Sequence, residues 1–272
     1  MFHNTWPFIG SLGRLVEVPF TASENVSRAD RYVESTTVEG ARRVQVRPVA
    51  PRSWSVDVSG ASADELSGLE AFAQGAWGSG PWHWVSVAAQ VGNLLTPREA
   101  QLLDRAVVSS ASVQDAGPVR DSDGAWSPRS VTVTLASGWA SLARGVPVIP
   151  GMPFTFSCDV QGNTLPGQVH VRFADAAGGT VSDNSADAPN AGMHRVSWSG
   201  AVPAGAVEAH VGVRSQTVVA TRPQVTWTPG PVPFSAGHGC RSAVVDGVSS
   251  DLLVVNSDGP VSGVGFTVLE VA

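Results

Sequence analysis

Apolar side chains recur at every second position through most of the chain. Val16/Val18/Phe20, Val44/Val46 and Trp54/Val56/Val58 are the first such runs, with Glu17, Gln45, Ser55 and Asp57 between them. Alternation of this kind puts one set of side chains on a buried face and the other in water, so each run predicts a half-buried antiparallel strand. The rhythm returns at Val131/Val133/Leu135, Phe154/Phe156/Cys158/Val160, Val169/Val171/Phe173, Val196/Trp198, Ala209/Val211/Val213 and Val225/Trp227. Gly-, Pro-, Asn- and Asp-rich loops separate these later runs and no helical period intervenes, which predicts a β-sandwich or jelly roll. After a loop at 229–239, two more strands are expected, one around Ala243–Val245 or Leu252–Val255 and one at Phe266–Val271.

Two helix starts break the alternation. Ser62-Ala63-Asp64-Glu65 has the spacing of a capping box, followed by an apolar stripe of Leu66, Leu69, Phe72 and Ala73 and a Gly75 stop. Thr96-Pro97-Arg98-Glu99 repeats the signature and opens a short helix through Leu102 and Leu103. Between them lie a Gly/Pro turn with Trp77 and an extended run from Trp82 to Val91. The polar stretch 112–130 marks a module boundary. Two domains are expected: 1–110, completed by 240–272, and 111–239.

With 272 residues there is room for two cores. Charged residues are only 15 %, and Gly (29) and Pro (19) are plentiful, in keeping with a mostly β chain. All 17 basic residues are arginine and isoleucine occurs only at Ile9 and Ile149. That bias reflects GC-rich coding rather than structural demand. The net charge of −6 is spread evenly, and no basic stripe exists to neutralise phosphates, so nucleic acid is not an expected partner. No apolar run approaches bilayer length and no secretory pattern opens the chain, so membrane insertion is not expected and assembly in a cytoplasm is.

Chemistry-bearing motifs are few. The six histidines form no HxxxH pair, and neither a Gly-x-Ser-x-Gly elbow nor a phosphate loop is present. Gly237-His238-Gly239-Cys240 lacks a third orienting group. Carboxylate pairs for glycoside hydrolysis are a spatial matter that spacing does not address. No catalytic residue, metal or cofactor is expected, and the chain is read as not an enzyme. Cys158, in phase with Phe154 and Phe156, is expected as a buried free thiol, with a Cys158–Cys240 disulfide as the alternative. Asp175, Asp183, Asn184 and Asp187 cluster oxygens without the spacing of a calcium loop, and a flexible polar loop is expected there.

Binding surfaces are better marked. If Val169, Val171 and Phe173 point inward, Gln168, His170 and Arg172 point out. By the same alternation His210 and Arg214 flank Val211 and Val213, and Arg195 and Ser197 flank Val196. His170, Arg172, Arg195, His210 and Arg214 are therefore candidates for one polar sheet face, whose imidazoles and planar guanidinium forks suit glycan hydroxyls or carboxylates. Trp126 and Trp139 are the available aromatic platforms. Trp54 and Trp84 are expected in the core over Leu66, Leu69 and Phe72. Trp77 and Trp82, in the turn, are expected at a subunit contact, where an indole removes much area from water at little rotamer cost.

The run from Arg43 to Pro97 contains VQVRPVAPRSWSVDVS, LEAFAQGAWGSGPWHWVS and NLLTP. It resembles the N-terminal domain of distal or minor tail proteins of long-tailed bacteriophages, especially those infecting GC-rich actinobacteria. The second module resembles jelly-roll carbohydrate-binding modules at Val146–Gly151 followed by Phe154–Ser157, at Pro203–Ala206 and at Pro223–Thr226. The closing FTVLEV resembles the last strand of the tail proteins. These resemblances imply a tail-protein β-sandwich with one packed helix plus a jelly-roll sandwich. They imply a homo-oligomeric ring, hexameric or trimeric, at the virion tail tip. Its partners would be the tail tube protein, the tail-tip hub proteins and host cell-envelope polysaccharide. A free-standing carbohydrate-binding protein and a tail-associated glycan hydrolase are the competing readings.

Overall fold

The structure is a computed structural model that describes residues 6–18, 21–46, 49–103, 111–135, 138–163, 165–256 and 259–271. Phe20 and the expected boundary near 110 lie outside the described residues. In chain order the first elements are β1 (Phe8–Ser11), β2 (Arg14–Glu17), β3 (Thr21–Arg28), β4 (Tyr32–Thr36), β5 (Arg42–Val46), β6 (Arg52–Ser62), α1 (Ala63–Ala73), β7 (Trp82–Val85), α2 (Val87–Val91) and α3 (Pro97–Ala100). Then follow β8 (Ala111–Asp115), β9 (Val119–Arg120), β10 (Trp126–Ser127), β11 (Val131–Leu135), β12 (Ala140–Pro147), β13 (Pro153–Gly162) and β14 (Gln168–Ala174). The last are β15 (Thr180–Asp187), β16 (Met193–Ala201), β17 (Glu208–Arg214), β18 (Thr217–Thr226), β19 (Cys240–Asn256) and β20 (Gly259–Glu270). The chain is mostly β, as the alternation predicts, and divides into two compact units.

Of the described residues, one unit holds 6–10 and those within 16–86 and 240–271. Its sheet runs β2-β1-β7-β19-β20-β6-β3, beside a separate β4-β5 hairpin. Strand β6 alternates strictly: Trp54, Val56 and Val58 are buried while Ser55 and Asp57 are exposed. The capping box of α1 forms as expected, with Ser62 Oγ accepting from the Glu65 N–H and the Glu65 carboxylate accepting from the Ser62 N–H. Leu69 and Phe72 from α1 join Trp54, Trp84, Phe266 and Val268 in one core cluster. Trp84 meets Trp54 at 6.5 Å and the edge of Phe266 at 6.3 Å, so both core indoles stand as expected. Arg52 closes one end of this core. Its guanidinium makes a two-pronged contact to Glu270 at 2.9 and 2.8 Å and lies 4.9 Å over the Trp54 ring.

Of the described residues, the other unit holds 11–15 and those within 87–239, and it is a sandwich of a five-stranded sheet, β16-β13-β18-β11-β8, and a four-stranded sheet, β12-β17-β14-β15. Phe154 on β13 meets Phe173 on β14 edge-on at 5.2 Å across the two sheets. The far face of the five-stranded sheet is covered along β13 and β18, whereas Thr134 on β11 and Gln114 on β8 are exposed. On the covered part the polar side chains Thr155, Ser157, Asp159 and Gln224 are 0–2 % exposed.

Asn93, from the Asn-Leu-Leu-Thr-Pro segment, helps cover that face and is itself 0 % exposed. Its Nδ2 donates to the carbonyls of Pro223 and Ser235, and its Oδ1 accepts from the Leu95 and Val225 N–H groups. Every polar valence of a buried amide is thus used locally. This segment groups with the sandwich in the unit division, whereas 1–110 was expected as one domain.

Four local expectations are corrected. The run after Trp82 is extended only to Val85 and then turns helical as α2. Helix α3 stops at Ala100, before Leu102, which adopts φ +55°. The stretch around Asp183 is not a loop but strand β15, polar on both sides because it is the edge of its sheet. The chain after 239 forms two long strands that pair with each other, so Ala243–Val245 and Leu252–Val255 share β19.

Candidate functional site

Strand β14 lies between β15 and β17, and its outward residues meet theirs row by row. Gln168 pairs with Asp187 and Arg214, His170 with Ser185 and Gly212, and Arg172 with Asp183 and His210. Four of the five residues expected on one polar face are therefore brought together: His170, Arg172, His210 and Arg214. Trp139, just before β12, completes the group. It stacks on His170 at 4.3 Å and lies 5.2 Å from the Arg172 guanidinium. Asp183 ties the cluster down, with Oδ1 3.0 Å from His170 Nε2 and Oδ2 accepting from Arg172 at 3.1 Å. His210 Nε2 stands 3.1 Å from Glu208 Oε1.

Burial under Trp139 pushes the His170 pKa down to about 4, and Arg172 and Arg214 push the same way against the opposing pull of Asp183. The ring is therefore neutral at physiological pH. At the end of this face the Gln168 row opens into a cleft of about 560 Å³. Gln168, Asp187 and exposed Arg214 supply its polar wall, and Leu135, Leu165 and Pro166 its apolar one. An amide, a carboxylate and a guanidinium converging beside apolar walls can orient a hydroxylated ligand.

Arg195 is not on that face. It stands on β16 in the five-stranded sheet, where its guanidinium donates to Ser157 Oγ at 2.8 Å, Gln224 Oε1 at 2.6 Å and the Arg222 carbonyl. It also pairs with Asp159, which is 0 % exposed. Alternation correctly points Arg195 away from the sandwich core, but strands of both sheets satisfy that rule and it does not say which sheet. Burial raises the Asp159 pKa, and Arg195 and Arg222 oppose the rise.

Trp77 is 53 % exposed with one face stacked on Phe72 at 5.5 Å, and half-buried Trp82 meets the same ring edge-on at 5.4 Å. Gly80 adopts φ +66°, which disfavours any side chain, and a Cβ there would sit tightly at 3.2 Å from Trp82 Nε1. Both cysteines are buried free thiols, and burial pushes each up to about 12. Among the described residues no cluster of three or more His, Cys, Asp or Glu side chains is placed to hold a metal. Asp175 instead caps a turn, accepting from the Ala177 and Gly179 N–H groups. No helix is long and apolar enough to cross a membrane among the described residues.

No family description matches the chain, and no curated protein matches it. Solved structures do. One is the enzymatically active domain of a tailspike protein of bacteriophage CBA120, at 16 % identity and TM-score 0.36, covering 50 % of this chain and 21 % of that one. Another is a Clostridium thermocellum xylanase with carbohydrate-binding and catalytic modules, at 13 % identity and TM-score 0.34, covering 45 % and 26 %. A third is a carbohydrate-binding module of the β-sandwich superfamily, at 12 % identity and TM-score 0.29, covering 80 % and 91 %. The match spans about a quarter or less of the first two proteins, and likenesses this distant assign no activity. One expectation is nonetheless corrected. The reading of the chain as not an enzyme does not stand, because its structural neighbours include glycoside hydrolases and an enzymatically active tailspike domain.

Proposed function

We propose that the chain is a structural component of a bacteriophage tail tip, a distal tail protein whose copies form a ring joining tail tube to baseplate. In this reading its sandwich contacts host cell-envelope polysaccharide through the four-stranded sheet. The observation that carries the glycan contact is the cleft where Gln168, Asp187 and Arg214 converge, beside the Trp139–His170 stack. Beside that cleft, His170 and Arg172 are held by Asp183, and polar groups fixed in this way next to an aromatic ring are pre-organised for a hydroxylated ligand.

Supporting the ring, the first unit exposes apolar strand surface that water penalises. Leu252, Leu253, Val254 and Val255 are each more than half exposed in succession, so neither face of that part of β19 is covered. Trp77 adds an exposed indole face. Copies meeting through such surfaces would close a symmetric assembly, and a ring would repeat a weak glycan site with a gain of about 10²–10⁴ in avidity where geometry allows.

Sedimentation velocity of the purified chain, with and without tail tube protein, tests the ring. A monomer at all concentrations that never joins the tube contradicts it. A glycan array that includes envelope polysaccharides tests the sheet face, and an array with no bound glycan contradicts that half.

A further inference from the structure

A second cavity, of about 400 Å³, opens on the other side of the sandwich, over the five-stranded sheet. It lies within the size range of small-ligand sites. Its apolar wall includes Trp126, 66 % exposed, and Phe234, 36 % exposed, together with Pro128. Rings this large are normally covered, and here cations hold them in place instead. The Arg120 guanidinium lies 4.8 Å over Trp126, and those of Arg222 and Arg195 lie 5.1 and 5.6 Å from the Phe234 ring.

The floor beneath them is polar and its charges are paired. Asp121 accepts from the Asp123 and Ala125 N–H groups with one oxygen and pairs with Arg222 through the other. Arg222 also faces Asp123 and Asp159 at 3.2 Å each. The hydroxyls of Ser127 and Thr221 meet at 2.6 Å, and both reach the Arg129 carbonyl. Such a floor leaves no unbalanced charge for an ionic ligand.

Arg222 is also held in a rare backbone conformation. It adopts φ +53°, unusual for a side chain of its size, where the β13–β18 register shifts between Ser157 and Asp159. Strain of this kind persists where the surroundings fix it and gathers at ligand clamps. Here it delivers the guanidinium to Asp121, Asp123 and Asp159 under the aromatic wall.

We propose that this cavity binds one uncharged pyranose ring of a glycan, stacked on Trp126 and Phe234, with its hydroxyl edge toward the Gln101 amide and the Arg129 guanidinium at the rim. A pyranose has an apolar C–H face and a hydroxyl edge, which match an aromatic wall bordered by an amide and a planar fork. The site is separate from the Gln168–Arg214 cleft, so either can fail without the other.

The test is ¹H–¹⁵N NMR of the full chain, following the indole N–H of Trp126, assigned from Trp126→Phe, during addition of neutral hexasaccharides of glucose, xylose and mannose at millimolar concentration. At least one sugar should shift that resonance. Phe234→Ala, a change at a partly exposed position, should weaken the response about tenfold. Arg214→Ala should leave it unchanged. An indole that no sugar moves overturns the proposal, as does one that only p-cresol moves, an equal response in Phe234→Ala, or loss of the response in Arg214→Ala.

Discussion

Lowering the pH should unfasten the His170 stack, and the size of the effect follows from its surroundings. His170 is 4 % exposed beneath Trp139, and its pKa falls from 6.5 to about 4 because burial disfavours the charged ring. The charged neighbours are Asp183 on β15, Arg172 on its own strand and Arg214 on β17. After burial the strongest influence is Asp183, which opposes the fall, while the two arginines reinforce burial and the balance stays downward.

A histidine whose pKa is lower in the folded state binds fewer protons there than in the unfolded chain between the two values. Its contribution to stability is therefore complete above about pH 6.5 and is lost as the pH falls toward about 4. At about 1.4 kcal/mol per pH unit, the full loss is roughly 3 kcal/mol, an upper bound because local relaxation lets water reach the ring. The assay is urea unfolding of wild type and His170→Gln from about pH 7.5 to about pH 4. Glutamine keeps a polar group facing Asp183 but cannot titrate, so the wild type should lose more stability than the variant over this window, by up to roughly 3 kcal/mol. Equal pH slopes for the two proteins would refute the reasoning. His83, in the other unit and also lowered to about 4 by burial and by Arg241, gives an independent acid loss that His83→Gln should remove.

Three further outcomes are expected. Arg52→Ala leaves Glu270 half-buried without its two-pronged partner and should destabilise the first unit by about 3 kcal/mol, read as a lower urea midpoint with Trp54 fluorescence changed. Cys158 and Cys240, buried and pushed up to about 12, should resist thiol reagents at mildly alkaline pH in the native protein and both react in urea; rapid native labelling would contradict their placement. If copies meet through the first unit, the pair Leu253→Ser and Trp77→Ser should shift sedimentation toward monomer without lowering the unfolding midpoint. An unchanged size distribution would place any interface elsewhere.

Much of the framework was legible because alternation and capping are local signals. Both capping boxes, the inward Trp54/Val56/Val58 face and the outward Gln168/His170/Arg172 row follow from neighbours a few residues apart. What escaped depends on the far side of a sheet. Arg195 obeys the same alternation as Arg172, yet its strand belongs to the other layer, and only the β13–β16 pairing reveals it. Asp159 looks like a solvent residue in sequence and is buried because Ser122, Arg195 and Arg222, distant in the chain, close around it. Strand β15 carries no apolar stripe, since an edge strand with a solvated face needs none. The φ of Arg222, which aims it under the second cavity, has no sequence signal at all.

The most direct measurement is equilibrium binding of the full chain to soluble host-envelope polysaccharide, compared with Arg214→Ala and Trp139→Ala. Saturable binding by the wild type, weakened at least tenfold by each change while the fold persists, is the result expected. Binding that neither substitution alters, or none by the wild type, would contradict a glycan contact on the four-stranded sheet.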